Sequence, residues 1–467
     1  MTFTYVTVTR DYDLADGTES AGLVRFTPAV AMVNGGATVV AAPVVARLDV
    51  DGHISVSLAA NTDATTAPQG NYYTVREEID GQPIRQYAVI VPHDQGATLD
   101  LSSLAQVSSP PSLSFPAATV STREGPLSLL DPRVDCRLDG TGDEAARVAT
   151  AISLLPAAGG HIYQPPGTLR TSAISFDRPV RWEGAGDQAS TIQAASGFTG
   201  TLITITKDAT FSRISDVQLG GGGSATKLIL VAAARTRLDH LHLTGAAAGS
   251  GAAAIHYNGV STSDSAHASQ VSDVRILSCG GYGIYLQGFS YDNEFANLWI
   301  GSCNVGIRYE NTNGFFTNTH VWGSTGNGIE LRDGSHLFSN CYVETNGGSG
   351  FNLFNAAQVR IANCNLWKNQ GSGVNASGTS HRLSVVGCLI YDNGGNGVTA
   401  ADCLYGQVIG NTMYDDTGSA QDQDRPVVTT GTSDSWIITG NVIRTADHAV
   451  GGNSLVGAAN VSANNIT

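Results

Sequence analysis

The chain has 467 residues, 55 of them glycine, and only 14% are charged, a composition suited to a β-rich protein with many corners and longer than one ordinary globular domain. Its 25 Lys and Arg against 40 Asp and Glu leave a net charge of −15 at pH 7, which argues against nucleic acid or an anionic membrane as partner, because both reward a basic face. No run approaches the roughly 18 apolar residues of a membrane span, and seven cysteines at scattered spacings describe no disulfide framework.

The start, Met1-Thr2-Phe3-Thr4-Tyr5, lacks the basic and apolar regions of a signal peptide. Synthesis in a cytosol without an export address is the expectation. Residues 1–106 read as a β-sandwich of immunoglobulin or fibronectin-like type. Gly22–Pro28 alternates, as do Ala46–Val50 and His53–Leu58 across an Asp51-Gly52 turn, and Tyr72–Ile79 and Arg85–Ile90 across Asp80-Gly81. A DG pair between alternating runs is a strong hairpin signal. Residues 107–134 form a linker or neck, broken by Pro110-Pro111, Pro116 and Pro132.

A helical pattern follows, with Val148, Ile152 and Leu155 on one face and Thr141 or Asp143 as N-cap. Beyond it come Gly159-Gly160-His161-Ile162-Tyr163-Gln164-Pro165-Pro166-Gly167-Thr168 and Trp182-Glu183-Gly184-Ala185-Gly186-Asp187. Coils between 200 and 280 read as less regular. Ala246–Ala268 is predicted to be a long excursion from one coil, and Asp415–Asp434 another. Gly220–Gly223 lacks the ending of a phosphate-binding loop and is a simple turn.

From Gly283 onward one phrase is written six times: Gly283-Ile284-Tyr285-Leu286, then Gly306-Ile307, Gly328-Ile329, Gly350-Phe351, Gly373-Val374 and Gly397-Val398, in steps of 23, 22, 22, 23 and 24 residues. A second phrase carries Ile300, Val321, Val343, Leu366, Ile390, Met413, Ile443 and Ile466. A fixed period in the low twenties marks a solenoid. Leucine-rich repeats share the period but require leucines and an asparagine that are absent. Short alternating runs separated by Gly and Asn corners instead predict a right-handed parallel β-helix over 135–467. Thr319, Cys341, Cys364, Cys388, Asn411, Asn441 and Asn464 align in one file, read as an inward ladder of small side chains rather than a metal site. The end of the chain shows no cap, so subunit partners are expected to cover the last coil.

The helix, the GG-x-I-Y-x-P-P-G-T segment and W-E-G-A-G-D resemble the N-terminal cap and first coil of the pectate-lyase-like β-helix superfamily. Polysaccharide lyases, glycoside hydrolases and phage tailspikes share that fold. The Leu48–Leu58 hairpin and Tyr72–Pro92 resemble N-terminal modules of minor tail proteins from actinobacterial phages. The resemblance implies an all-β virion tail spike or fibre with an N-terminal capping helix. Residues 1–106 would bind other tail proteins, and the β-helix would meet a host surface polysaccharide. A homotrimer is implied by analogy with β-helical tailspikes, and no cofactor is implied.

The polygalacturonase motifs are not present as a set. Asn61-Thr62-Asp63 falls in the sandwich, and Asp415-Asp416 is a bare pair. Glycoside hydrolysis needs two carboxylates about 5–10 Å apart. Glu344 shares a file with Trp322, Trp367, Tyr391 and Tyr414, and is the leading acid, with Glu330, Asp392 or Asp415 as second carboxylate. Trp299, His320, Trp322, Tyr342, Trp367, Tyr391 and Tyr414 are predicted to point outward, either stacking on sugar rings or forming an apolar seam between subunits. Arg308 over Glu330 and Glu310 over Arg332 read as a surface charge ladder. His240 and His242 are expected on one face, without a third ligand for metal. Three functions stay open: a glycan-binding spike, an active depolymerase (hydrolase or lyase), and a structural tail part without catalysis.

Overall fold

The period of the repeat becomes the pitch of a parallel solenoid. The computed structural model describes residues 3–13, 20–34, 37–80, 82–107, 126–310, 313–415, 423–444, 453–457 and 460–466. It divides into two compact units, Met1–Glu124 and Gly125–Thr467.

Within the first unit, strands Val44–Arg47, Gly22–Pro28, Tyr73–Ile79 and Arg85–Val89 form one antiparallel sheet in that order. Alternation places Val24, Phe26 and Val75 in a core shared with Val6, Val8, Ile54 and Leu58. The hairpin between Tyr73–Ile79 and Arg85–Val89 forms; Gly81 at its turn lies outside the described residues. The Asp51-Gly52 turn forms differently from expectation. Asp49 Oδ1 accepts the Asp51 and His53 amides at 3.0 and 2.9 Å, yet Val44–Arg47 pairs with Gly22–Pro28 while His53–Ala59 pairs with Tyr5–Asp11. The turn is a corner between two sheets, not a hairpin.

In the second unit every ladder is parallel, among the described residues, in a 23-stranded and an 11-stranded sheet. A typical coil contributes Ile329–Arg332, His336–Ser339 and Tyr342–Glu344, and the next stacks Phe351–Phe354, Arg360–Ala362 and Asn365–Trp367 on them. Ile284, Ile307, Ile329, Phe351, Val374 and Val398 stand in register and are buried. Inside, Phe295, Phe316 and Phe338 stack at 4.4 and 4.8 Å. Helix Ala145–Leu154 buries Val148, Ala151 and Ile152 in the same core. The N-cap is Glu144 rather than Thr141 or Asp143, without a side-chain capping bond, although Asp143 just before it accepts from the Ala145 amide at 3.0 Å.

Two segments read as irregular are regular. Arg213–Gly220, Arg237–Thr244 and Gln270–Leu277 are the longest strands of the solenoid, and Ala253–Gly259, inside the expected excursion, pairs with Lys227–Val231 and Tyr282–Gly288. Likewise Val427–Thr430 stacks on Val398–Ala401; residues 416–422 lie outside the described residues.

One corner file explains the inward ladder. Asn297, Asn318, Asn340 and Asn363 hold φ near +49° to +56°, and Gly387, Gly410 and Gly440 follow at +64° to +65°, the left-handed region that Asn and Gly tolerate. From Asn340 onward such a corner turns the next amide inward, where the following coil satisfies it. The Cys341 and Cys364 amides donate to Cys364 and Cys388 Sγ at 3.4 Å each; the Cys388 and Asn411 amides donate to Asn411 and Asn441 Oδ1 at 2.8 and 2.9 Å. The ladder then continues to Asn465 Oδ1 at 3.1 Å. Asn464 instead occupies the corner itself, with φ +54°. Ile466 pairs with Val442 and is 66% exposed, so it too sits one position off the buried file to which its spacing assigned it.

Candidate functional site

On three-residue strands such as His320–Trp322 the middle side chain points inward and its neighbours outward. Register then builds two outward files. Trp299, His320, Tyr342, Asn365 and Leu389 form one; Gly301, Trp322, Glu344, Trp367, Tyr391 and Tyr414 form the other. All seven aromatic candidates therefore lie on one face of one sheet. Their rings touch in series. Trp299 meets Trp322 edge-on at 6.0 Å, Tyr342 stacks on Trp367 at 6.4 Å, Trp367 on Tyr391 at 5.6 Å, and Tyr391 on Tyr414 at 4.7 Å. Gly301 makes room for this belt: a Cβ there would stand 2.4 Å from Cε2 of Trp322.

Polar groups edge the belt. His320 Nε2 lies 2.9 Å from Glu344 Oε1, both half-buried. Trp367 Nε1 donates to Asp392 Oδ2 at 3.2 Å, and Lys368 Nζ lies 4.5 Å from the centre of the Trp367 ring. Burial and the Glu344 carboxylate push the Tyr342 hydroxyl well above its ordinary pKa. Beside Tyr342, a shallow groove of about 360 Å³ is lined by Asn340, Asn363, Asn365 and Leu389. The groove sets an aromatic ring beside side-chain amides, an apolar surface next to hydrogen-bonding groups.

The carboxylate candidates are divided. Glu344 belongs to the belt, and Asp392 and Asp415 are buried one residue beyond the belt's Tyr391 and Tyr414. Glu330 does not join them. It lies on the other sheet, where its carboxylate meets Arg308 at 3.1 Å and accepts from Asn327 Nδ2 at 2.8 Å. The expected stacking of Arg308 over Glu330 and of Glu310 over Arg332 is present in the register, and to it are added a pair of Glu310 with Arg308 along one strand and a contact of Arg332 with the Phe354 ring at 5.9 Å. His240 occupies a corner with φ +51°, beside Asp239 at 3.3 Å, whereas His242 lies on the strand after that corner.

That other sheet carries a polar cluster which the sequence reading missed. Leu230, His256, Tyr285, Arg308 and Glu330 stand in one outward file. His256 is 3% exposed, stacks on Tyr285 at 4.7 Å, and neither ring nitrogen has a hydrogen-bond partner among the described residues. Burial, reinforced by Lys227, lowers its pKa to about 4. The Tyr285 hydroxyl donates to Glu310 Oε2 at 2.9 Å. Burial pushes Glu310 up, but hydrogen bonds from Arg308 and Tyr285 outweigh it and hold the carboxyl below its usual range. The signal was present: Ala254-Ile255-His256-Tyr257 has the pattern of Gly283-Ile284-Tyr285-Leu286 one coil earlier.

Residues 253–443 match a family model described as the right-handed β-helix region. No curated protein matches the chain. Among solved structures, the A-module of mannuronan C-5 epimerase AlgE6 from Azotobacter vinelandii aligns at 17% identity over 73% of this chain and 97% of its own, with TM-score 0.50. The Agl-KA catalytic domain aligns at 12% identity over 98% and 90%, with TM-score 0.57. The pre-mature gene product 12 of bacteriophage phi29 aligns at 12% identity over 68% and 52%, with TM-score 0.51. At these identities the likeness is one of fold. The solenoid is a right-handed β-helix.

Proposed function

We propose that the chain is a virion tail spike or fibre protein that binds a host cell-surface polysaccharide. The aromatic belt carries this reading: large, partly exposed rings repeated over coils spaced roughly 4.8 Å apart offer a sugar chain a continuous apolar strip along the solenoid. Similarity to a phage gene product and to an epimerase named for mannuronan supports both halves of it. On this reading residues 1–106, an immunoglobulin or fibronectin-like module, attach to other tail proteins, and residues 107–134 are the neck. Helix Ala145–Leu154 caps the β-helix of residues 135–467, and three copies assemble. The protein works on the virion, at the tail tip or baseplate.

A second reading, an active polysaccharide depolymerase, is favoured by Glu344, held against His320 beside the rings. Asp392 or Asp415 would then supply the second carboxylate. The test is incubation of the purified protein with cell-wall and capsular glycans from actinobacterial hosts, with Glu344→Gln as control. Retention of a glycan that Trp322→Ala and Trp367→Ala abolish supports the spike. New reducing ends identify a hydrolase, and absorbance from a new carbon–carbon double bond a lyase. If no glycan is retained and both tryptophans are protected between chains, the belt is a subunit seam and the glycan reading falls.

A further inference from the structure

The first unit carries an electrostatic arrangement that glycan binding leaves unused. Arg25 on strand Gly22–Pro28 lies directly opposite Arg76 on strand Tyr73–Ile79. Like charges in opposed cross-strand positions destabilise a sheet. Both guanidiniums share one carboxylate, Glu78 Oε1, at 2.8 Å from Arg76 Nε and 3.4 Å from Arg25 Nε. No second carboxylate lies within ion-pair distance of either, among the described residues. The same face adds Arg47, opposite Leu23, which is itself opposite Glu78. At the pair itself two guanidiniums share one carboxylate, which leaves one positive charge unmatched there on a chain of net charge −15.

A groove of about 400 Å³ opens at the pair, lined by Arg25, Thr27, Tyr72, Thr74, Arg76 and Gln86. The two arginine side chains remain 41% and 46% exposed, so their forks are available to a partner. Guanidinium forks match carboxylates in geometry as well as charge. Beside them, Val45 lies opposite Arg25, is 41% exposed, and belongs to an edge strand, Val44–Arg47. An apolar side chain and an open strand edge next to a cationic groove suit an extended peptide better than a sugar.

We propose that this groove docks an acidic peptide segment of a partner protein, its carboxylates entering between Arg25 and Arg76. The proposal rests on the reading that residues 1–106 attach the chain to a larger particle, and it names the surface and chemistry of that attachment.

The full-length chain is tested by fluorescence polarisation with labelled decaglutamate, beside decalysine and oligogalacturonate. Decaglutamate should bind, more weakly as salt rises, and R25E/R76E should weaken it at least about tenfold, as loss of a complementary charge pair does. R25Q/R76Q guards against misfolding and should weaken binding with an unchanged melting temperature. Failure of decaglutamate to bind, or tighter binding of oligogalacturonate at the same arginines, overturns the proposal. Purified chain is then added to particles made without it. Incorporation of wild type but not of R25E/R76E supports the groove; incorporation of both overturns it and leaves attachment standing. If wild type itself fails to incorporate, the attachment reading falls and the peptide titration alone decides the groove.

Discussion

Trp322, Glu344 and Trp367 on one sheet, and Tyr285, Arg308 and Glu330 on another, are laid down by the same stacking rule but differ in what their polar groups touch. On the second face the charges close on one another: Arg308 holds Glu310 and Glu330, its own side chain only 17% exposed. On the first, the rings touch mainly rings, stacked face against face along the file, and remain partly exposed. Stacking alone therefore does not make a binding surface. The two files differ in kind: one is a run of ring-on-ring contacts, the other a closed network of charges.

The contrast can be broken most strongly at His256. The folded protein keeps this imidazole neutral, with a pKa near 4 against an ordinary 6.5. Its contribution to stability is therefore intact above pH 6.5 and is lost as pH falls toward 4, where the unfolded chain takes up the proton first. The separation corresponds to about 3 kcal/mol. Urea unfolding of His256→Gln across that window should lose this part of the acid slope; an unchanged slope means the imidazole titrates as in water. Next in size is Arg308→Ala, which leaves two partly buried carboxylates without their cation and should cost about 2 kcal/mol in urea unfolding, with glycan binding unchanged. A parallel loss of glycan binding would show that the two faces are not independent.

Trp299→Ala, at the most exposed ring of the belt, should do the reverse, weakening glycan retention about tenfold, or roughly 1.4 kcal/mol, while shifting the melting temperature little. Equal loss of stability would place the ring in the structural scaffold. The smallest effect is expected at Asn465→Ala. It deprives the Asn441 amide of its acceptor and should cost about 1 kcal/mol, visible as faster hydrogen exchange in the last coils only.

Much of the solenoid was legible because two periods coincide. A step of 22 to 24 residues sets the coil, and alternation within each strand sets the face, so the files of Ile300 and of Trp367 follow by alignment. Where a period carried no pattern, the reading failed. Ala252–Ile255 offers no contrast between apolar and polar side chains, so its sequence reads as an excursion although Ala253 opens the strand containing His256. Asn464 and Asn465 are the same residue type in adjacent positions, and only backbone conformation shows which turns and which bonds inward. Spacing leaves Glu330 open as the partner of Glu344, because spacing along the chain does not say which sheet a carboxylate faces. Asp51-Gly52 signalled a turn correctly, but a turn residue does not choose the partner of the strand it releases.

The inward amide ladder has a consequence for how such a molecule changes in size. From Cys341 to Asn441 the corner amide of each coil is satisfied by the coil that follows, so these bonds tie a coil to its two neighbours and to nothing farther away. Cutting the chain at equivalent corners and inserting one whole coil leaves every other bond in place and lengthens the solenoid by about 4.8 Å. An insertion of a single residue, by contrast, rotates a corner residue into the ladder position, as the one-residue difference between Asn464 and Asn465 illustrates. The aromatic belt is in this sense a ruler graduated in coils, extended or shortened by whole divisions and broken by fractions of one.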